Sequence, residues 1–271
     1  MRQLCALALT VLIGVYPVSL SSQQTQSAAA TTAAVRDPQA IGVLQQALSA
    51  AGVTAAAQVR DFTETGNVTY YWAGQEVNGT VTLRGRGTDE FRFDAALSTQ
   101  SGTQSWAVSD DQGTSQAING TTTAIPFWNG TNLGQLTIPH LALAAALSDS
   151  TMSVTTLGQM TLNGQAVIDI RMQKVFSQKD DPSGELTKWS TRDYVFDPTT
   201  YALVEMWDTI YPNDVPARAY LHELIFSNFQ IQNGVAIPSS ITEKVVGQQT
   251  WSIQVSSTTF NTGLTAATFT L

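Results

Sequence analysis

The chain has one cysteine, Cys5, and two histidines, His140 and His222, in 271 residues. Cys5 lies inside the apolar run 4–18, so a chain cleaved after that run has no disulfide and depends on a conventional core. Its place inside the run, not at its end, also argues against a lipid-modified cysteine. With two histidines and no other thiol, too few nitrogen and sulfur ligands remain for the usual zinc sets. Basic residues are scarce as well: 13 Lys and Arg face 21 Asp and Glu, a net charge of −8. No basic cluster exists to neutralise phosphates, which excludes nucleic acid and any lasting hold on an anionic membrane surface. The apolar run falls short of the ~20 residues that a membrane helix requires, and Pro17 interrupts it.

That run follows Arg2, the only charge before Arg36, and gives way to small residues, the pattern of a secretory signal peptide. Residues 1–22 are read as the signal peptide, with a second stretch of small residues placing the cut as late as 30. Residues 23–36, rich in Ser, Gln, Ala and Thr, read as a flexible tether. No repeat and no Pro/Gly-rich linker divides 37–271, which is read as a single domain.

Periodicity then carries the fold. Asp37-Pro38 is a favoured N-cap and first helical residue, and Ile41, Leu44, Ala47, Leu48 and Ala51 share one helical face until Gly52. The spacing predicts a helix over about 38–51. Beyond it the period becomes two. Val81 and Leu83 alternate with Thr80, Thr82 and Arg84, and Phe91 and Phe93 with Glu90, Arg92 and Asp94. Val167 to Val175 and Trp251, Ile253 and Val255 form further extended stretches. Five Asn-Gly pairs, at 78–79, 119–120, 129–130, 163–164 and 233–234, are assigned to the tight turns of antiparallel hairpins. Pro139 opens an apolar stretch, 140–147, that predicts a middle helix covered on most sides.

The segment Phe226-Ser227-Asn228-Phe229-Gln230-Ile231-Gln232-Asn233-Gly234-Val235-Ala236-Ile237-Pro238 reads as strand, turn and restart. With Trp251-Ser252-Ile253-Gln254-Val255, Phe260-Asn261-Thr262-Gly263-Leu264 and Phe269 after it, it resembles the bacterial lipoprotein-carrier superfamily, the LolA/LolB-like and LppX/LprG-like proteins. The order of elements agrees. The resemblance implies an α+β, mostly antiparallel β fold: a strongly curved, unclosed β-barrel whose concave face is covered by the N-terminal and middle helices. It implies an exported, non-catalytic carrier of lipid or lipoprotein acyl chains in the periplasm or cell envelope of a bacterium. No cofactor and no metal is called for, and membrane contact is transient.

On that reading Val81, Leu83, Phe91, Phe93, Trp106, Phe226 and Trp251 line the apolar space, with Leu141, Leu143 and Leu147 on the covering helix. Arg86, following an early strand, is the position for a polar contact to the helical lid, with Arg84 as its alternative. Two other classes remain open: an accessory envelope protein that uses the same fold to bind a protein partner, and a secreted hydrolase.

Catalytic patterns are thin. Gly113-Thr114-Ser115-Gln116-Ala117 approaches a nucleophile elbow but is flanked by turn signals in place of a strand and a helix. His222-Glu223 starts a zinc motif that Phe226 breaks. Asp110-Asp111 and Asp180-Asp181 read as solvated turn residues. If the turn at 212–216 joins two antiparallel strands, Asp208 faces His222, a pair that reads as a cross-strand contact on a half-exposed face. The six tryptophans are spread evenly, as core and sheet residues are.

Overall fold

A computed structural model describes residues 33–52, 58–72, 74–99, 101–110, 112–133, 138–213 and 217–271. The signal-peptide assignment, most of the tether and Asp111 lie outside them. Helix α1 (Pro38–Ala50) is followed by β1 (Asp61–Trp72), β2 (Gln75–Arg86), β3 (Glu90–Leu97), β4 (Thr103–Ser109), β5 (Gln112–Gln116) and β6 (Thr122–Ile125). Helices α2 (Phe127–Leu133) and α3 (Pro139–Ser148) come next, then β7 (Met152–Leu162), β8 (Gln165–Lys174) and the short α4 (Glu185–Trp189). The chain ends with β9 (Arg192–Phe196), β10 (Leu203–Ile210), β11 (Tyr220–Gln232), β12 (Val235–Val245), β13 (Gln248–Phe260) and a 3₁₀ turn, Ala266–Phe269.

The strands make one antiparallel sheet of 13 in the order 6-5-4-3-2-1-13-12-11-10-9-8-7. Two meanders are joined where β1 pairs with β13, and β6 and β7 are left as the edges. A twisted sheet of more than about ten strands has to curl or split. This one curls without closing: side chains of β2 and β3 share a single core cluster with those of β8 to β10.

Side-chain parity fixes the two faces. Val81 and Leu83, Phe91 and Phe93, Phe226, and Trp251 and Ile253 point to the concave face and are buried. Helix α1 adds Ala40, Val43, Leu44, Ala47 and Leu48 to the same cluster, and α3 adds Leu143 and Ala146. The helix expected over 38–51 thus forms, with the Asp37 carboxylate accepting from Gln39 N–H as its cap. Alternation on the strands and a 3.6-residue stripe on α1 are both satisfied against one another.

Two corrections concern the fold. Only three Asn-Gly pairs, at 119–120, 163–164 and 233–234, lie in hairpin turns. Asn78-Gly79 sits within β2, where any Cβ on Gly79 would meet the Ala96 carbonyl oxygen at 2.3 Å, and Asn129-Gly130 sits in α2. Residues 35–36, assigned to the tether, instead lie along β7. Val154 N–H donates to Val35 O at 2.8 Å, and Asp37 N–H donates to Val154 O at 2.9 Å.

Candidate functional site

The concave face carries two distinct environments, one apolar and one charged. Phe93 anchors the apolar part. Its ring stacks on Trp106 at 5.5 Å and meets Trp251 at 6.0 Å, while Phe91 lies 5.2 Å from Trp106. Val81, Leu83, Phe91, Phe93, Phe226, Trp251 and Leu143 are buried in one cluster, and Trp106, Leu141 and Leu147 pack against it. The residues chosen from the sequence therefore share one cluster, the strand residues together with those of α3. They fill the space they were expected to line.

An open volume of about 190 Å³ lies beside them, at the end of the barrel where the β11–β12 hairpin turns. Ala47 and Ala50 of α1 with its C-cap Ala51, His140 of α3, Ala202 and Leu203 at the start of β10, and Phe229 and Ala236 of β11 and β12 form its walls, with Ile231 at the rim. None of the residues selected for the apolar lining borders it. Alanines make this space by default, because facing side chains that end at Cβ leave the gap between helix and sheet unfilled. The end of α1 is fastened to the same hairpin: Ala236 N–H donates to Ala51 O at 2.9 Å, and Gly52, at φ +78°, passes so close to Gly234 O that a Cβ would stand 1.9 Å from it.

His140 is 3 % exposed and meets Phe229 edge-on at 5.9 Å. Burial alone pushes its pKa down to about 4, so the ring is neutral. Its Nδ1 has no hydrogen-bond partner among the described residues.

The charged environment lies toward the opposite end of the barrel. β10 and β11 pair Asp208 with His222 in register, as the sequence suggested, and Asp208 Oδ1 is 2.6 Å from His222 Nδ1. The expected half-exposed face is not found, since Asp208 and His222 are both buried. Glu243 of β12 takes the other ring nitrogen, Oε1 standing 3.0 Å from Nε2, and accepts from the Thr250 hydroxyl. Arg192 stands 3.8 Å from Asp208 and donates to the Thr131 carbonyl of α2 at 2.6 Å. Burial pulls the His222 pKa down, but Asp208 and Glu243 outweigh it by charge and hydrogen bond and hold it at about 10. The imidazolium is therefore a fixed charge with both protons committed. It has no free nitrogen with which to serve as a general base. Its two carboxylates lie on opposite sides of the ring, so the three groups do not converge on one ion. No metal-binding cluster occurs among the described residues.

Arg86 does not reach the helical lid. In β2 it alternates with Gly85, whose missing Cβ leaves room for the Phe62 ring on the concave side, so Arg86 points to the outer face. There it pairs with Glu90, with Nη2 donating to Oε1 at 2.7 Å, and lies 5.8 Å from the Phe269 ring. Arg84 is also outward, 2.5 Å from Asp94. The arginine that does hold the lid is Arg36. Its guanidinium donates to the carbonyls of Ala146, Leu147, Asp149 and Met152 at 2.7–3.1 Å, closing the C-terminal end of α3. Its sequence signal was faint: a lone basic residue just before an N-cap.

The remaining sequence candidates have structural employment. Ser115 lies in β5, with no helix after it. Asp181 accepts from Leu186 and Thr187 N–H and caps α4, and Asp180 accepts from the Ser177 hydroxyl.

No protein-family model matches the chain, and no curated protein matches it in sequence. Solved structures do match it in fold. A domain described as an outer membrane lipoprotein-sorting protein, from Vibrio parahaemolyticus, aligns with a TM-score of 0.52 at 11% identity, over 84% of this chain and 95% of that one. A LolA superfamily protein from Nitrosomonas europaea gives 0.52 at 12% identity, over 84% and 97%. A DUF1329 family protein from Desulfovibrio piger gives 0.53 at 10% identity, over 87% and 98%. No helix of the described residues is long and apolar enough to cross a membrane.

Proposed function

We propose that this chain, which has the fold of the LolA superfamily, binds acyl chains of lipids or lipoproteins in the bacterial envelope after export, without catalysing a reaction on them. The observation that carries the reading is the open apolar volume between α1, α3 and the concave face, reached past Ile231, which is 68% exposed. An acyl chain entering there trades water for alanine and aromatic surface at about 0.8 kcal/mol per buried methylene. Lipid-anchored proteins, or the lipids themselves, are the partners this supports, and contact with a membrane lasts only for loading and delivery.

The test is mass spectrometry of an organic extract of the detergent-free protein, paired with uptake of a fluorescent acyl lipid. Ala50 is exposed and borders the opening, so Ala50→Phe should block uptake while the fold persists. Wild-type protein that is empty and takes up no lipid would end this reading. One observation favours a second reading, an accessory protein that binds another envelope protein: the concave face is already packed with its own side chains. Failure of uptake together with capture of a defined envelope protein would decide for it.

A further inference from the structure

Every described side chain bordering the opening is apolar except one. Alanines 47, 50, 51 and 236 and the Phe229 ring offer no hydrogen bond, and among the described residues no lysine or arginine borders the space. His140 stands among them as the second residue of α3, buried, with Nδ1 unpartnered. The helix starts at Pro139 after Ile138, which supplies no side-chain cap. A polar group in such surroundings is stable only if something brings it a partner. Nothing in the described walls does so. His140 borders the opening, so a ligand atom there can supply the partner once the ring turns to present a nitrogen.

We infer that this opening is a head-group site, in which the neutral His140 imidazole donates a hydrogen bond to the carbonyl oxygen of an uncharged acyl ester or amide while the first carbons of its chain fill the alanine-lined space. The inference rests on the acyl-binding reading above and narrows it. The uncharged state follows from the walls: a free carboxylate would be buried without a cation, a cost that one hydrogen bond does not offset. An ester or amide oxygen asks only for a donor, and the positive end of α3 adds to its welcome. Size limits the rest. A cavity of about 150 Å³ holds one six-carbon ring, so roughly six to eight carbons fit the 190 Å³ here without displacing a helix.

The experiment compares octane, methyl octanoate, N-methyloctanamide and octanoate at pH 7.5 as competitors of a fluorescent apolar dye, on wild-type protein and on His140→Leu. In the wild type, the ester and the amide should compete roughly three- to tenfold better than octane, the range of one hydrogen bond, and octanoate should compete worse than either. In His140→Leu, which removes a buried polar group without creating another, the ester and amide advantages should collapse onto the octane value, while octanoate stays the weakest competitor. The relative strength of ester and amide then separates a glycerolipid source from an N-acylated protein. If wild type and variant show the same preferences, or octanoate competes best in the wild type, the head-group assignment is wrong and the acyl-binding reading stands. If no eight-carbon probe competes on either protein, the reading and the inference fall together.

Discussion

His222 and His140 are both buried, yet they titrate in opposite directions because one is given anions and the other nothing. With its pKa raised to about 10, His222 contributes stability that is complete below its unfolded value of 6.5 and is lost as pH rises through 10. His140, lowered to about 4, behaves in the reverse sense: stability falls as pH drops from 6.5 toward 4, by on the order of 3 kcal/mol if nothing else compensates. His222→Leu leaves Asp208 and Glu243 buried without their shared cation and should cost about 3–5 kcal/mol in denaturant unfolding near pH 6, less toward pH 10. His140→Leu should raise the melting temperature, most of all at low pH. A His222→Leu penalty that does not shrink on the alkaline side would refute the charge assignment. Asp208 and His222 were legible as a pair only on the condition that the chain turns at 212–216 between two antiparallel strands. Glu243 is a diagonal neighbour: the Asn233-Gly234 hairpin sets it opposite Leu224, two residues from His222, so a reading of directly opposed pairs misses it.

Elements that rely on local chemistry were read well, and those set by long-range contact were not. Helix α1 announces itself through Asp37, Pro38 and a five-residue apolar stripe, all within fourteen positions of each other. The Asn-Gly pairs failed where tertiary pairing overrode turn preference: Gly79 was selected by the Ala96 carbonyl behind it, and Asn129 bonds both the Tyr211 N–H and its carbonyl, tying α2 to the end of β10. Arg36 shows the same limit, lying about 110 residues before the carbonyls it serves. Arg36→Ala should destabilise the protein by about 2–3 kcal/mol, and hydrogen exchange should quicken first in the last turn of α3. Arg36→Lys keeps the charge at the negative end of that helix but not the planar fork, so its cost should fall between the two. Equal protection of α3 in wild type and Arg36→Ala would show that sheet packing alone holds the helix.

At the scale of the molecule, the question is whether the two covering helices can part from the sheet. The antiparallel β class was legible from period-two runs and hairpin turns, and the curved, unclosed barrel from the family resemblance; the count of 13 strands that forces the curl was not. The state of its interior was not, since a register shift or a few alanines decide between a filled face and a channel. The helices are fastened at Arg36, at the Asp37–β7 contacts and at Ala51–Ala236, so a long chain has to break some of these before it enters. Chain length therefore discriminates between carrier and interaction module. If α1 and α3 yield, each methylene added to an acyl ester beyond eight carbons keeps contributing about 0.8 kcal/mol, close to fourfold in affinity, less the cost of release. If they do not, affinity levels off near the length that fits 190 Å³. We expect the rise to continue to at least twelve carbons in a dye-displacement series, with faster hydrogen exchange across the C-terminal half of α1 when the longer esters bind. A plateau at eight carbons with unchanged exchange would mean that the packed face is the resting and working state, and the surface around Ile231 would then be the place to look for a protein partner.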